Sequence, residues 1–207
     1  MRISETRREI CRVLRLIYER GLISGGDGNV SVRLLDQSLV LLTPRGRHKG
    51  LLSPEDLSLV SLDGCLISGP PSSSELHLHL EIYKKFSDVG AIVHAHPPWT
   101  TALYIAGKSM DDPPILSEAA MILGHVGVVA YCPPGSDELA KEVAYALNSN
   151  GKACVLMNHG AVTCGVDLME AFMVMESLEN CSRIAVLAHL LGGPQHFIRT
   201  PESPSRK

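Results

Sequence analysis

The sequence predicts an α/β fold in which helices pack over a central sheet that is largely antiparallel or mixed. Short alternating strands joined by tight turns, such as the pair around Asp63-Gly64, are typical of antiparallel hairpins. Amphipathic helical segments recur between these strands. A chain of 207 residues without a repeat or linker is long enough for one complete core. We therefore expect a single domain over residues 1–207, with a loose tail at 198–207.

The first part of the chain predicts one helix followed by hairpins. Residues 4–21 carry an apolar stripe of helical period, with Ser4 as a cap and Gly21 as the stop. A glycine-rich loop follows at 23–29. Strands are expected at 30–34, 39–43, 57–62 and 65–68, with a helical turn at 54–56.

The second part alternates helices and strands. The segment from about 73 to 86 has helical composition and leads to an apolar strand at 91–96, which Pro97-Pro98 ends. Ser136 and Asp167 are good N-caps for two later helices. The other expected helices occupy 99–106, 117–123, 136–148 and 168–192, and the other strands 126–131, 153–157 and 161–164.

Composition excludes several classes of protein. A net charge of -3 and a pI near 6.3 provide no basic surface for nucleic acid. No apolar run reaches the length of a membrane span, and the N-terminus lacks the apolar core of a signal peptide. The six cysteines form no close CxxC pair, so free thiols in a reducing compartment are the simplest interpretation. We expect a soluble, cytoplasmic protein.

Three histidines are the candidate metal ligands. His94 and His96 stand two apart at a strand end, so both rings point to the same face and can converge on one ion. Alone, this pair is a weak signal, and two partly exposed histidines at a strand end are the favoured alternative. His159 follows a second apolar strand, and its alternative is a plain turn shaped by Asn158 and Gly160. Together the three favour a three-histidine site of the kind that binds catalytic zinc.

Glu75 and its neighbours permit two interpretations. Ser72 and Glu75 match a capping box, which requires no function. Alternatively, Glu75 is an acid/base, and the exposed N–H groups and hydroxyls of Ser73 and Ser74 bind phosphate at the helix start. His79, one helical turn after Glu75, would then support the site. Other candidate phosphate contacts lie in two distant loops: Asn29, Arg45 and Gly46.

The chain resembles the class II aldolase and adducin head family. Five segments carry the resemblance, in the family's order and across residues 20–190: GNVSVR at 28–33, TPRG at 43–46, PSSSE at 71–75, HAH at 94–96 and NHG at 158–160. Each motif is short, but five in one order are specific. Arg45 departs from the threonine expected in the fuculose-phosphate aldolases, so the substrate stays open.

The resemblance implies a three-layer αβα sandwich and usually a homotetramer. It implies one Zn²⁺ on His94, His96 and His159, with Glu75 as the acid/base. It also implies a phosphate pocket that includes Asn29, Gly46, Ser73 and Ser74. The expected reaction is reversible aldol cleavage of a small ketose 1-phosphate, such as fuculose 1-phosphate, to dihydroxyacetone phosphate and an aldehyde. Pentulose-phosphate epimerase, methylthioribulose-1-phosphate dehydratase and a non-catalytic adducin-like module are the alternatives.

Overall fold

The structure is a computed structural model that describes residues 3–34, 38–111, 114–147 and 151–198. Residues 199–207, most of the expected tail, lie outside the described part. No helix among the described residues is long and apolar enough to cross a membrane.

Eight strands form one sheet in the order β4-β3-β2-β1-β5-β8-β7-β6. All neighbouring strands pair antiparallel except β6 and β7, which are parallel, so the predicted mixed sheet is confirmed. The strands are β1 Asn29–Leu34, β2 Leu39–Leu42, β3 Ser58–Ser61, β4 Leu66–Ser68, β5 Ala91–Ala95, β6 Gly127–Val129, β7 Ala153–Leu156 and β8 Gly160–Gly165.

In the described part of the chain, five α-helices cover the two faces of this sheet. They are α1 Ile3–Glu19, α2 Leu76–Lys85, α3 Pro98–Ile105, α4 Asp137–Ala146 and α5 Leu168–Leu190. The predicted caps Ser136 and Asp167 are confirmed, since each accepts a hydrogen bond from the backbone N–H three residues later. The short helix expected at 117–123 is a π-helix, Ala119–Leu123.

Residue alternation along β5 explains the three layers. Val93 packs in an apolar cluster with α1, α3 and α5, whereas Ile92 packs in a second cluster with α2 and α4. Successive strand residues point to opposite faces, so His94 shares the face of Ile92. The strand therefore presents His94 toward the layer that contains α2.

The start of α2 differs from the prediction. The capping box of Ser72 and Glu75 is wrong, because the helix begins at Leu76 and Glu75 itself occupies the N-cap position. Its carboxylate makes no capping bond and turns toward Asn29 and His94 instead. Tertiary hydrogen bonds have thus displaced the local capping pattern.

Candidate metal and catalytic site

Three imidazoles converge at the ends of two neighbouring strands. His94 lies in β5 and His96 follows its end, while His159 lies in the turn between β7 and β8. Their ring centroids are 4.9–5.0 Å apart in all three pairs. One nitrogen from each ring lies within 4.8 Å of the others.

Backbone geometry brings His159 to the other two rings. Asn158 adopts the left-handed conformation, with φ 61°, and turns the chain back into β8. A Cβ at Gly160 would lie only 2.3 Å from the Ala95 carbonyl oxygen and 2.8 Å from the His96 ring. Glycine is therefore required here for the turn to approach β5 closely enough.

Hydrogen bonds orient two of the rings through their Nδ1 atoms. His94 Nδ1 lies 2.9 Å from the Ala161 carbonyl oxygen, and His96 Nδ1 lies 3.2 Å from Asp27 Oδ2. Both contacts leave Nε2 directed into the shared space, where the two Nε2 atoms are 3.2 Å apart. Zinc at about 2.0–2.1 Å from each nitrogen needs ligands about 3.3 Å apart in tetrahedral geometry, so these atoms fit the ion.

Glu75 faces the same space and is buried. Its Oε2 lies 3.1 Å from His94 Nε2, and its Oε1 lies 3.7 Å from His159 Nε2. Asn29 Nδ2 donates to Oε2 at 2.8 Å, whereas Oε1 is buried without a hydrogen-bond partner. An acceptor oxygen left unsatisfied beside three imidazoles favours a cation or a donated proton at that point.

The buried Glu75 carboxylate favours positive charge at this point, as a proton or a bound cation: although burial lowers the pKa of His94, Glu75 raises it above its usual value. Burial alone raises the pKa of Glu75, but the charge of His94 and hydrogen bonds from His94 and Asn29 outweigh it and hold the pKa far below its usual range. Burial and the charge of His94 lower the pKa of His96, and lower that of His159 to about 4. These two rings are thus neutral near pH 7, which is the form that binds metals.

A chain of buried polar side chains extends from Glu75 between β1 and α2. Asn29 contacts His79 Nε2 through Oδ1, and His79 Nδ1 lies 2.6 Å from Ser31 Oγ. Ser31 Oγ also lies 2.8 Å from Tyr83 Oη. His79, which was predicted to support the site, is therefore connected to Glu75 through Asn29.

The two loops expected to bind phosphate lie side by side. Pro44 and Ser72 form an antiparallel bridge, Arg45 N–H donates to the Pro71 carbonyl at 3.0 Å, and Ser73 N–H donates to the Thr43 carbonyl at 3.1 Å. Gly46 has φ 68° and, like Arg45, is exposed. The structure thus brings Arg45 and Gly46 beside Ser73 and Ser74, whereas the Asn29 amide is engaged by Glu75 and His79.

Lys49, which was not predicted, ties this loop to the glycine-rich loop. Its side chain is buried, and Nζ donates to the carbonyls of Gly26, Pro44 and Arg47 at 3.0–3.2 Å. Burial lowers the pKa of this ammonium group, and the nearby Asp27 opposes the shift. Lys49 therefore fixes the relative position of both loops.

Asp27 was also missed by the sequence reasoning. Ser24 donates to it from its backbone N–H and its hydroxyl, at 2.9–3.3 Å, which keeps the carboxylate beside His96. An acidic residue in a glycine-rich loop was the available signal. Its pairing with His96 could be recognised only once the loop was placed beside β5.

Comparison with known proteins places the chain in a family. The model of the family described as "Class II Aldolase and Adducin N-terminal domain" matches residues 8–186. An L-fuculose phosphate aldolase from Methanococcus maripaludis is 36% identical over 176 residues, covering 85% of this chain and 93% of the relative. A 3-oxo-tetronate 4-phosphate decarboxylase from Haemophilus influenzae is 40% identical over 175 residues, covering 82% of this chain and 81% of the relative.

Solved structures show the same fold. YgbL from Escherichia coli, whose description names aldolase, epimerase and decarboxylase as alternatives, has a TM-score of 0.84 at 31% identity and covers 97% of this chain and 95% of its own. An L-fuculose 1-phosphate aldolase also has a TM-score of 0.84, at 29% identity, and the match covers 96% of this chain and 92% of the aldolase. The fold, the order of the motifs and these similarities lead to one conclusion: the chain belongs to the class II aldolase and adducin N-terminal domain family.

Proposed function

We propose that the protein is a metal-dependent class II aldolase. It cleaves a small ketose 1-phosphate, such as fuculose 1-phosphate, reversibly to dihydroxyacetone phosphate and an aldehyde within one catalytic domain. The observation that carries the proposal is the convergence of three imidazoles with a buried carboxylate, whose oxygens lie 3.1 Å and 3.7 Å from two of the rings. A packing role alone does not explain why Glu75 Oε1 is buried without a donor.

His94, His96 and His159 would hold the metal through their Nε2 atoms. Zn²⁺ suits three imidazoles and an open fourth position, although manganese or cobalt can occupy the same donor set. A bound ion supplies a Lewis acid that stabilises the negative charge developing on the substrate's carbonyl and hydroxyl oxygens. The described residues thus provide both a binding site and an adjacent base.

Glu75 would move the proton at the substrate carbon. When the carbon–carbon bond breaks, one carbon of the dihydroxyacetone phosphate fragment must accept a proton, and the reverse reaction must remove it. Glu75 is ionised and holds one oxygen free, so it is suited to remove that proton as a general base and to return it as the acid. Burial beside the metal ligands keeps it within reach of the reacting carbon.

The paired loops would bind the phosphate. Ser73 and Ser74 offer hydroxyls before α2, and Gly46 allows the backbone to approach an anion closely. The exposed Arg45 side chain can add a charged, bidentate contact. The predicted phosphate contact of Asn29 is not proposed further, since its amide is bonded to Glu75 and His79. Anchoring the phosphate would fix which carbon faces Glu75.

The substitution Glu75→Gln tests this proposal. The variant should keep its zinc, measured by elemental analysis, and lose about 10²–10⁴-fold in turnover, because a general acid/base contributes that factor. Exchange of solvent deuterium into dihydroxyacetone phosphate gives a second readout that does not require the correct aldehyde. Glu81→Gln is the control, since Glu81 lies on the same helix but pairs with Lys84 at the surface. Wild-type exchange in the Glu75 variant would disprove the proposed role.

Decarboxylation of a 3-oxo-tetronate 4-phosphate is a second candidate, favoured by the decarboxylase relatives. Loss of CO₂ from C1 of such a substrate leaves its electron pair on C2, beside the C3 carbonyl. Protonation of C2 then yields dihydroxyacetone phosphate, the same fragment that aldol cleavage produces. The same metal, base and phosphate pocket therefore serve both reactions.

A substrate panel separates the candidates. It contains fuculose 1-phosphate, 3-oxo-tetronate 4-phosphate, ribulose 5-phosphate and methylthioribulose 1-phosphate, so that the epimerase and dehydratase alternatives are included. Turnover of only the second compound, with release of CO₂, would replace the aldolase assignment. A purified protein without metal and without activity on all four would favour the adducin-like interaction module.

We also propose a cytoplasmic homotetramer. Several large apolar side chains are exposed in the described chain, among them Met121, Leu190 and Leu191 at 85%, 76% and 89% exposure. Such side chains are typical of subunit interfaces. All six cysteines are free, which suits a reducing compartment. Light scattering coupled to size-exclusion chromatography measures the oligomeric state directly.

A further inference from the structure

Four buried polar residues connect Glu75 to the interior of the protein. Asn29 and Ser31 come from β1, and His79 and Tyr83 come from α2. All four are at most 3% exposed. With Glu75 they form an unbroken hydrogen-bonded chain, which we call the Glu75 relay.

The spacing of these residues matches across the two elements. Four residues along a helix advance about 6.0 Å, and two residues along a strand advance about 6.6 Å. Glu75 at the N-cap and His79 and Tyr83 in α2 therefore lie on one side of the helix. Their spacing matches that of Asn29 and Ser31 on β1. Contributions of helix and strand therefore alternate, so that Asn29, His79 and Ser31 each lie between two other polar groups.

The direction of every hydrogen bond in the relay can be deduced. Asn29 places its amide Nδ2–H against Glu75 at 2.8 Å and its Oδ1 against His79, so it donates to the carboxylate and accepts from the imidazole. His79 must then donate from Nε2–H. Burial, followed by the charge of His94, lowers the pKa of His79 to about 3, so the ring is neutral and its Nδ1 carries no proton.

The remaining two bonds follow from this tautomer. The unprotonated His79 Nδ1 accepts from the Ser31 hydroxyl at 2.6 Å. Because Ser31 has only one hydrogen, its oxygen must accept from Tyr83 Oη–H at 2.8 Å. Burial raises the pKa of Tyr83 well above its usual value, which keeps this phenol protonated. All four donors consequently point toward Glu75.

We propose that Asn29, His79, Ser31 and Tyr83 are positioning residues whose one-way hydrogen bonds hold Glu75 in its reactive orientation. The inference rests on the proposed function of Glu75. Hydrogen bonds aligned in one direction polarise and strengthen one another, so the Asn29 donor binds Oε2 firmly. Oε1 is left as the free oxygen, on the side of the three imidazoles.

His79 has the central part in this arrangement because it determines which way the Asn29 amide faces. Without the Nε2–H donor, Asn29 Oδ1 loses its hydrogen bond to residue 79. The amide can then tilt, which weakens the bond that its Nδ2–H donates to the Glu75 carboxylate. Glu75 would lose its fixed orientation although the metal ligands and the phosphate loops stay in place.

The first test is spectroscopic and does not depend on activity. Histidine labelled with ¹⁵N in the zinc-loaded protein should give one ring with the Nε2–H tautomer that does not titrate between pH 6 and 8. His79→Gln identifies that signal by its disappearance. A wild-type His79 that carries its proton on Nδ1, or that titrates in this range, would overturn the inference.

The second test measures deuterium exchange into dihydroxyacetone phosphate. His79→Phe removes the donor and should lower the maximal exchange rate about 10–100-fold, the usual effect of losing an orienting partner, with KM changed less than about threefold. His79→Gln keeps an N–H donor near the Nε2 position and should restore most of the rate. A purely structural role for His79 would lower folded yield and stability in both variants but would not give this rate-specific rescue.

Two serine variants supply a matched comparison. Ser31 and Ser182 are both fully buried, but Ser182 Oγ has no hydrogen-bond partner in the described chain. Ser31→Ala should slow exchange about three- to tenfold, because it removes the third donor counted from Glu75, whereas Ser182→Ala should not. Wild-type rates in both His79→Phe and Ser31→Ala, with Glu75→Gln inactive, would overturn the relay alone. Wild-type exchange in Glu75→Gln would overturn the proposed function itself.

Discussion

Removal of the Asp27 carboxylate is expected to weaken metal binding without changing any metal ligand. Asp27 Oδ2 lies 3.2 Å from His96 Nδ1, on the side of the ring opposite the metal space. A carboxylate in this place fixes the ring orientation and makes the other nitrogen a stronger ligand. The partner of His94 Nδ1 is instead the backbone carbonyl of Ala161, which a substitution does not remove. Of these two rings, His96 is therefore the one whose Nδ1 partner can be removed by mutation.

The structure sets the size of the effect. Loss of such an orienting partner typically costs 10–100-fold in metal affinity. The His96 and Asp27 side chains are 28% and 27% exposed, so solvent screens their interaction. We therefore expect a loss of metal affinity at the lower end of this range. Asp27→Ala should therefore raise the zinc Kd about tenfold, or about 1.4 kcal/mol. Asp27→Asn keeps an acceptor oxygen for His96 and should lose less.

Competition with a chromophoric chelator measures this Kd directly. Asp137→Asn is the matched control, because Asp137 also pairs with a histidine Nδ1, that of exposed His77 at 2.6 Å, which is not one of the three imidazoles. Its zinc Kd should equal that of the wild type. An unchanged Kd in Asp27→Ala would show that His96 is oriented without its carboxylate and would refute the reasoning.

Two further predictions concern stability. The buried His79 has a pKa near 3, against an ordinary value of 6.5, so below pH 6.5 the unfolded chain binds a proton that the folded protein excludes. This difference in proton binding should reduce the free energy of unfolding by about 2 kcal/mol between pH 6.5 and pH 5. Urea titrations at the two pH values should show a smaller loss in His79→Gln than in the wild type. Equal losses in the two proteins would contradict this prediction. Gly160→Ala should lower stability by about 1–3 kcal/mol and Tm by about 2–10 °C, with loss of zinc, because its Cβ would lie 2.3 Å from the Ala95 carbonyl oxygen. Gly26→Ala, with nothing within 4 Å of the added carbon, is the control, and equal Tm values in the two variants would contradict the steric explanation.

Local patterns in the sequence predicted that three histidines lie together, and the structure confirms that they do. Residues two positions apart on a strand point to the same face, so the sequence alone pairs His94 with His96. His159 could be added because a polar turn between two apolar strands of one hairpin ends at the same edge of the sheet. The convergence of all three follows from strand pairing, which periodicity reveals.

Contacts that depend on the tertiary arrangement were not predictable in the same way. The capping box at Ser72 was locally plausible, but hydrogen bonds to Asn29 and His94 favoured another position for Glu75. Asp27 and Lys49 lie in loops, and their partners depend on how those loops fold over β5 and against each other. The relay needed the register between α2 and β1, which no sequence period alone specifies.

Lys49 divides the site into two parts that can change separately in evolution. The imidazoles are held by the hydrogen-bonded ladders of β5, β7 and β8, so their geometry belongs to the sheet itself. The two loops that are proposed to border the substrate are instead held to each other by three carbonyl contacts to the Lys49 ammonium group. Under the proposed function, substitutions at positions such as Arg45 would alter which phosphorylated compound is accepted, while the arrangement of the three imidazoles persists. That separation suits a family in which similarly related members carry the names of an aldolase and a decarboxylase.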